Sequence, residues 1–426
     1  MKTINQLIQS GRVHRKVYTE ASIFQAEMDK IFQANWVFLL HASQIPKLDD
    51  YQTVRMGGRP LIVVRKGDDE FQALLNRCPH RGATVCRNDS GNSKTFTCPY
   101  HGWKFRNSGK AFVIPGANAY GEGFDKDNFS MTAIPRVESY RGFVFATSNE
   151  NAVSLEEHLG SARQYIDEWL AHQGGEIKVS KSVQRYEIKC NWKLVFDNAG
   201  DGYHVPFSHQ SLLQMTTLRY GGGDIQYFGN ADETGMGLYA LGNGHSVIDQ
   251  RPEMHKESGW NQQRPQPGHE SYETHVRNNS SQPARDLERA VGAGMNLNIF
   301  PNLLLIGNQI QVIDPISVNE TVLHWHATLL AGDNEELNAI RMRTQEDFPI
   351  MGEVDDVANF ESCQEGLETM PEIEWIDFSR HMNEGENACY QDVIQHKPTS
   401  EIHSRHYFDT WLQLMSAVNK ENQSEV

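Results

Sequence analysis

The stretch CPHRGATVCRNDSGNSKTFTCPYHGW, residues 78–103, constrains this chain more than any other. It holds two tight knots, one with Cys78 and His80, the other with Cys98 and His101. The pattern is Cys-x-His, a gap of 17 residues (81–97), then Cys-x2-His. Two loops that each offer one thiolate and one neutral imidazole can converge on a single metal centre, so the fold must hold them side by side. Pro79 and Pro99 stiffen the loops, and Gly82 and Gly102 permit close backbone approach.

A structural zinc site built from Cys2His2 keeps like ligands together, as Cys-x2-4-Cys and His-x3-5-His. Here each knot is mixed. That suits a two-iron cluster in which both cysteines bind one iron and both histidines the other, the ligation of a Rieske [2Fe–2S] centre. Backbone N–H groups near Gly82 and Gly102 can then approach the cluster sulfides. From about Pro46 to Ser148 short β-rich runs lie between turn residues (RPLIVVRKG, EFQALLNRC, KTFTC, GFVFATS), which predicts a compact all-β unit around the knots.

A one-electron cluster hydroxylates nothing alone, and a second set of ligands lies in NWKLVFDNAGDGYHVPFSH. On a helix Asp197, Asp201 and His204 share one stripe, at i, i+4 and i+7. Val205 precedes Pro206, so the helix is expected to end near His204 and the turn to swing His209 back towards it. Two imidazoles and one carboxylate with open positions form the triad of non-haem Fe(II) oxygenases. The carboxylate is sought in MGEVDDVANFESCQEGL, where Asp356, Phe360, Cys363 and Leu367 form a stripe that is apolar except for Asp356. Asp355, Asn359, Ser362 and Gly366 form a polar stripe beside it. A carboxylate alone on an inward face needs a partner, and a metal provides one; the competing reading is a surface acid pair. His324 and His326 could also bind metal as His-x-His, but two histidines satisfied in a sheet core fit better. Cys190 and Cys363 read as small core residues.

Elsewhere the first 40 residues look helical, with Thr19–Glu20 as a cap signal and Ile23, Met28, Ile31 and Phe32 at near-helical spacing. SLEEHLGSARQYIDEWLA reads as helix and SVQRYEIKC as strand. Residues 220–290, rich in Gly, Gln, Asn and Pro, read as long excursions near an entrance. Strands return in MNLNIF, NQIQVI and TVLHWHATLL, and 334–370 reads as helical with a break at Phe348–Pro349. The net charge of −16 argues against nucleic acid and anionic membrane and would suit a basic protein partner. No apolar run approaches a membrane span, and the start lacks the apolar stretch of a secretory signal. Six scattered cysteines make no disulfide framework, so the cytoplasm is expected.

The first knot pair resembles the Rieske proteins. Ala83 and Tyr100 stand where respiratory-chain members carry stapling cysteines. The form Cys-Pro-Tyr-His-Gly-Trp resembles the Rieske domain of aromatic-ring-hydroxylating oxygenases, and Asn-Trp-Lys followed by Asp-x-Tyr-His-x4-His resembles their α subunits. The resemblance implies an α+β chain: an N-terminal helical segment (1–39) packing on the catalytic domain, an all-β Rieske domain (40–152), and a helix-grip (START/Bet v1-like) catalytic domain with a central antiparallel sheet (153–426). It implies a cluster on Cys78, His80, Cys98 and His101, mononuclear iron on His204, His209 and Asp356, and Asp201 bridging His204 to a Rieske histidine of a neighbouring subunit. Asn198 would sit beside the iron and Tyr203 behind its ligands. The activity implied is that of a terminal dioxygenase α subunit, using O2 and NAD(P)H-derived electrons to cis-dihydroxylate an aromatic substrate. The alternatives are an aromatic monooxygenase or N-/O-demethylase, and an electron-transfer Rieske protein. The partners implied are a reductase with or without a ferredoxin, and either a small β subunit (α3β3) or an α3 homotrimer. No nucleotide-binding glycine motif follows a convincing strand, so the reductant docks from outside. The start of the chain is similar to arylpropionate and biaryl dioxygenases, and DNAGDGYHV to the benzoate group, which makes an aromatic carboxylate the expected substrate. Leu212, Leu213, Met215, MNLNIF and the stripe at Asp356 are expected to wall the pocket, with Arg219 as a carboxylate anchor.

Overall fold

Short apolar runs bounded by turn residues become strands throughout. The computed structural model describes residues 2–172, 175–211, 231–254, 294–331, 352–384, 387–390 and 393–417, with a few single positions between them. The chain divides into two units, residues 32–158 and residues 1–31 with 159–426.

The first unit is built of three small antiparallel sheets. One runs in the order Phe71–Leu75, Arg59–Arg65, Asp50–Met56, Ser90–Asn92. A second centres Lys104–Arg106 between Thr95–Thr97 and Ala111–Val113. In the third, Phe143–Thr147 pairs with both Arg136–Tyr140 and Val37–His41, so the WVFLL run is a fully buried strand. Ile62, Val64, Leu74, Phe96 and Phe105 form a core that also holds Cys78, Cys98 and Trp103. The knots therefore grow out of packed strands.

The second unit is organised by a nine-stranded antiparallel sheet. Its order is Ile177–Ile188, Glu320–Leu330, Gln309–Ser317, Leu303–Ile306, Met295–Ile299, Ser246–Asp249, Gly237–Ala240, Val393–His396, Asn387–Tyr390. The register puts Ile248, Asn296 and Ile306 in one row, and Leu304 opposite Gln311 in the next. Residues paired across a sheet share a face, and this face receives helices Trp192–Ala199 and Glu353–Thr369 around a cavity. Helix Ile402–Ser416 packs on Leu238 and Ala240 through Ile402.

Two expectations are corrected. Residues 237–249, assigned to an excursion, form a hairpin inside the large sheet, turned at Gly242-Asn243-Gly244 with positive φ at all three. The N-terminal segment is not all helix: Ile8–Gln9 and Arg12–His14 form a hairpin about Gly11 (φ 71°) that pairs with Trp375–Asp377. The Thr19–Glu20 signal does mark the start of helix Ala21–Lys30, with Glu20 at the N-cap position; the Thr19 hydroxyl donates back to the Arg15 carbonyl at 3.3 Å.

That helix carries a charge into the core. Glu27 and Lys193 are both fully buried, 2.7 Å apart. The indole N–H groups of Trp192 and Trp411 also donate to Glu27, at 3.0 and 2.7 Å. A buried ion pair of this kind survives only when its remaining hydrogen-bonding capacity is met. Here it ties together three segments far apart in sequence. No helix among the described residues is long and apolar enough to cross a membrane.

Candidate metal centres

The two knots share one backbone plan. The amide of Cys78 donates to the Ala83 carbonyl and that of Gly82 to the Cys78 carbonyl, at 2.8 and 2.9 Å. In the second knot Cys98 donates to Trp103 and Gly102 to Cys98, at 2.8 and 3.0 Å. Gly82 and Gly102 adopt φ of 77° and 71°, where a Cβ is strained. Asn76 fixes the first knot, accepting from the amides of Val85 and Cys86 and donating to the Cys86 carbonyl.

The consequence is two thiols side by side and two imidazoles side by side. Cys78 and Cys98 are 2% and 1% exposed, and the Cys78 thiol is pushed up by burial and by the neighbouring Cys98. The rings of His80 and His101 lie 4.5 Å apart, and His80 stacks flat on buried Trp103 at 4.8 Å. Paired sulfur donors next to paired nitrogen donors fit a [2Fe–2S] cluster with split ligation. Cys86 stands apart, its thiol 3.6 Å from the Asn88 carbonyl.

The second site is assembled differently from its sequence reading. Helix Trp192–Ala199 ends at Gly200, before Asp201 and His204. A Cβ at Gly200 would lie 2.1 Å from the His403 ring. That ring is held by the Phe196 carbonyl at 2.7 Å and the Ser246 hydroxyl at 2.6 Å. The helical stripe is thus broken, and Asp197 points elsewhere, accepting from the hydroxyls of Tyr18 (2.7 Å) and Tyr407. Burial pushes Asp197 up to about 7, against the pull of those hydroxyls. Gly200→Ala is expected to lower stability by roughly 3 kcal/mol or more, since neither backbone nor ring can yield. An unchanged denaturant midpoint would contradict this.

Past the break, Asp201 organises the chain locally. Its Oδ1 accepts from the amides of Tyr203 and His204, at 2.6 and 3.3 Å, and its Oδ2 lies 3.5 Å from His204 Nδ1. Val205–Ser208 forms one helical turn with Pro206 in its first positions, and the His209 amide closes it on Val205. His204 and His209 come within 5.4 Å, ring to ring. Across from them on helix Glu353–Thr369, Asp356 places Oδ1 3.7 Å from His204 Nε2 and Oδ2 3.4 Å from His209 Nε2. Donor atoms of the three lie within 4.8 Å of one another.

These separations exceed hydrogen bonds and approach the ~3 Å spacing of donors around one ion with bonds of ~2.1 Å. Asp356 Oδ1 is buried without a hydrogen-bond partner, as expected of an atom reserved for a cation. Burial opposes charge on Asp201 and His204, but each offsets it for the other: Asp201 is held below the usual carboxylate range and His204 above the usual imidazole range. A proton on His204 Nδ1 leaves Nε2 as the donor to metal. His209 has a matching arrangement that the sequence reading missed: Asp355 Oδ2 lies 3.5 Å from its Nδ1. Nothing in the linear pattern separates Asp355 from a surface acid.

The helix itself is rotated from the expected stripe. Its buried positions are Glu353, Asp356, Phe360 and Gln364. Cys363 is exposed, and Gln364 turns inward to accept the Asn191 amide at 3.0 Å. Cys190 is fully buried, as expected. His324 and His326 lie on one face of strand Glu320–Leu330, rings 6.5 Å apart, away from the His204 group.

A cavity of about 340 Å³ opens beside the three donors. Val195, Ile248, Leu304, Ile306, Leu323 and Phe360 make it mostly apolar; Asn198, Gln311, Asn296 and Glu353 are among its polar lining. Burial, then the charge of Asp356, pushes Glu353 well above the usual carboxylate range. Met295 and Phe360 wall the cavity as expected; Leu212, Leu213, Met215, Arg219 and the Phe348–Pro349 break lie outside the described residues. Tyr203 does not line this cavity; its half-exposed ring carries the Arg380 guanidinium at 4.0 Å.

Two segments of the chain match known protein families. Residues 35–140 match the Rieske [2Fe-2S] domain, and residues 176–417 match the ring hydroxylating alpha subunit catalytic domain. The chain is 33% identical to toluate 1,2-dioxygenase subunit alpha of Pseudomonas putida, over 92% of this chain and 87% of that one. It is 34% identical to the 2-halobenzoate 1,2-dioxygenase large subunit of Burkholderia cepacia, over 87% and 80%. The solved structure of naphthalene 1,2-dioxygenase with indole in its active site superposes with a TM-score of 0.80 at 26% identity, covering 98% of this chain and 95% of that one. The chain therefore belongs to the ring-hydroxylating dioxygenase alpha subunits, oxidoreductases with a Rieske [2Fe–2S] cluster and a non-haem iron that work with reductase and ferredoxin partners on O2 and an aromatic substrate.

Proposed function

We propose that this alpha subunit cis-dihydroxylates an aromatic carboxylate. The observation that carries the reading is the convergence of His204, His209 and Asp356 on the wall of a largely apolar cavity. The carboxylate substrate is supported by the relatives named for toluate and 2-halobenzoate. His204 and His209, through Nε2, and Asp356 hold the iron; Cys78 and Cys98 hold one iron of the cluster, and His80 and His101 the other. When bound, the ferrous ion and the cluster supply one electron each to the reduction of O2, which no side chain here can do. The chain's own part is binding, orientation and exclusion of water. Asp201 and Asp355 face the two imidazoles across Nδ1, each 3.5 Å away, and bias their orientation by charge. Val195, Leu304, Ile306 and Phe360 offer the ring an apolar seat, and Asn198 sits beside the ligands. Tyr203 contributes its amide to the turn that Asp201 organises. Asp201 also links His204 to a cluster histidine of a neighbouring subunit, in an α3 or α3β3 assembly. The site of action is the cytoplasm, where NAD(P)H is available to the reductase.

The test is turnover of a panel of aromatic acids by the holoenzyme with a surrogate reductase under 18O2. Two labelled oxygens in one diol product are expected. One labelled oxygen, or release of formaldehyde from methylated substrates, would instead make it a monooxygenase or demethylase.

A further inference from the structure

Gln311 is the least explained polar side chain in the cavity. It is 3% exposed and sits on the inner strand Gln309–Ser317, paired with Leu304 on one side and Trp325 on the other. Its neighbours on the cavity wall, Leu304, Ile306 and Leu323, are apolar. Among the described residues its side chain makes one hydrogen bond, a long one, Nε2 donating to Gln309 Oε1 at 3.4 Å. An amide has two N–H donors and an acceptor oxygen, so most of this group's capacity is unmet by the described residues. Polar capacity set in an apolar wall is unfavourable unless a partner meets it. The iron-holding side chains and Gln311 line the same cavity from different layers, the former from the helical side and Gln311 from the sheet.

We propose that Gln311 is a specificity-determining residue whose side-chain N–H binds the polar substituent, a carboxylate, of the aromatic substrate. This rests on the reading of the substrate as an aromatic acid. A carboxylate acceptor makes the stronger, charge-assisted kind of hydrogen bond with such a donor. The contact anchors the ring through its carboxylate on the sheet side of the cavity. Among the described lining residues no lysine or arginine competes for that role. Asn296, on strand Met295–Ile299, and Gln250, just past strand Ser246–Asp249, line the same cavity and provide the internal comparison.

The experiment compares benzoate with toluene, a neutral arene of similar size, in the reconstituted holoenzyme. Wild type, Gln311→Leu, Gln311→Glu and Asn296→Leu are measured, with the visible absorption of the cluster as a check on folding. Gln311→Leu is expected to lower kcat/KM for benzoate roughly 10- to 100-fold, chiefly through KM, as loss of a directed hydrogen bond does. Toluene should change by less than about 3-fold, since it makes no such bond. Gln311→Glu should depress benzoate further by like-charge repulsion and spare toluene. Equal losses for both substrates would assign Gln311 to packing and overturn the proposal. So would an unchanged preference in Gln311→Leu, or a benzoate-selective loss in Asn296→Leu alone. A wild-type enzyme that oxidises no aromatic acid overturns the substrate reading and the subsite with it; wild-type turnover with an indifferent Gln311 overturns the subsite alone.

Discussion

Asp356→Ala is expected to abolish turnover while leaving the cluster's visible spectrum unchanged. The carboxylate is 4% exposed and faces both imidazoles, with Oδ1 unpartnered. Removing it takes one of three donors from a site whose remaining two are neutral, so metal affinity falls on count and on charge. Loss of supporting residues around a metal costs 10- to 100-fold, so loss of a ligand should cost roughly 10³-fold or more. The cluster residues lie in the other unit, on the separate core around Trp103, and nothing in that core depends on Asp356. The measurement is iron content per chain alongside labile sulfide. Iron falling to the cluster's share, with sulfide intact, is the expected result. Full iron retention with activity would remove Asp356 from the ligand set.

Asp201→Asn should give the second-largest effect, and of a different kind. The amide oxygen of asparagine can still accept from the amides of Tyr203 and His204, so the turn persists. What disappears is the negative charge opposite His204 Nδ1, which holds that imidazole above its usual range. Iron and cluster should both remain. Product formation should fall by roughly 100-fold, the upper end for supporting carboxylates, and oxidation of the reduced cluster by O2 in the presence of substrate should slow with it. Rapid cluster oxidation in this variant would confine Asp201 to orienting His204.

The acidic flank illustrates a limit of pattern reading. Asp197, Asp201 and His204 fit one helical stripe on spacing, yet only Asp201 and His204 meet. The helix ends at Gly200, which lies against His403, a residue some 200 positions away, held by Phe196 and Ser246. Periodicity carries no information about such an encounter. In the same way the stripe drawn through Cys363 is displaced by one position, because Gln364 is pulled inward by the Asn191 amide. The hairpin at 237–249 differs: its Gly-Asn-Gly turn between alternating apolar residues is a local signal, outweighed by the polar composition around it.

What the sequence by itself determined is the chemistry of the donor sets. Mixed Cys/His knots and a His-x4-His beyond an Asp-x-Tyr-His turn are local patterns, fixed by residue type and by the short reach of a few peptide units. Only the tertiary structure decided which atoms face which: Nε2 of both histidines towards Asp356, Asp355 behind His209, Glu353 and Gln311 in the cavity. Those contacts join a turn, a helix 150 residues later and a sheet face, and their geometry is set by packing between elements, to which the order of residues along any one of them is blind.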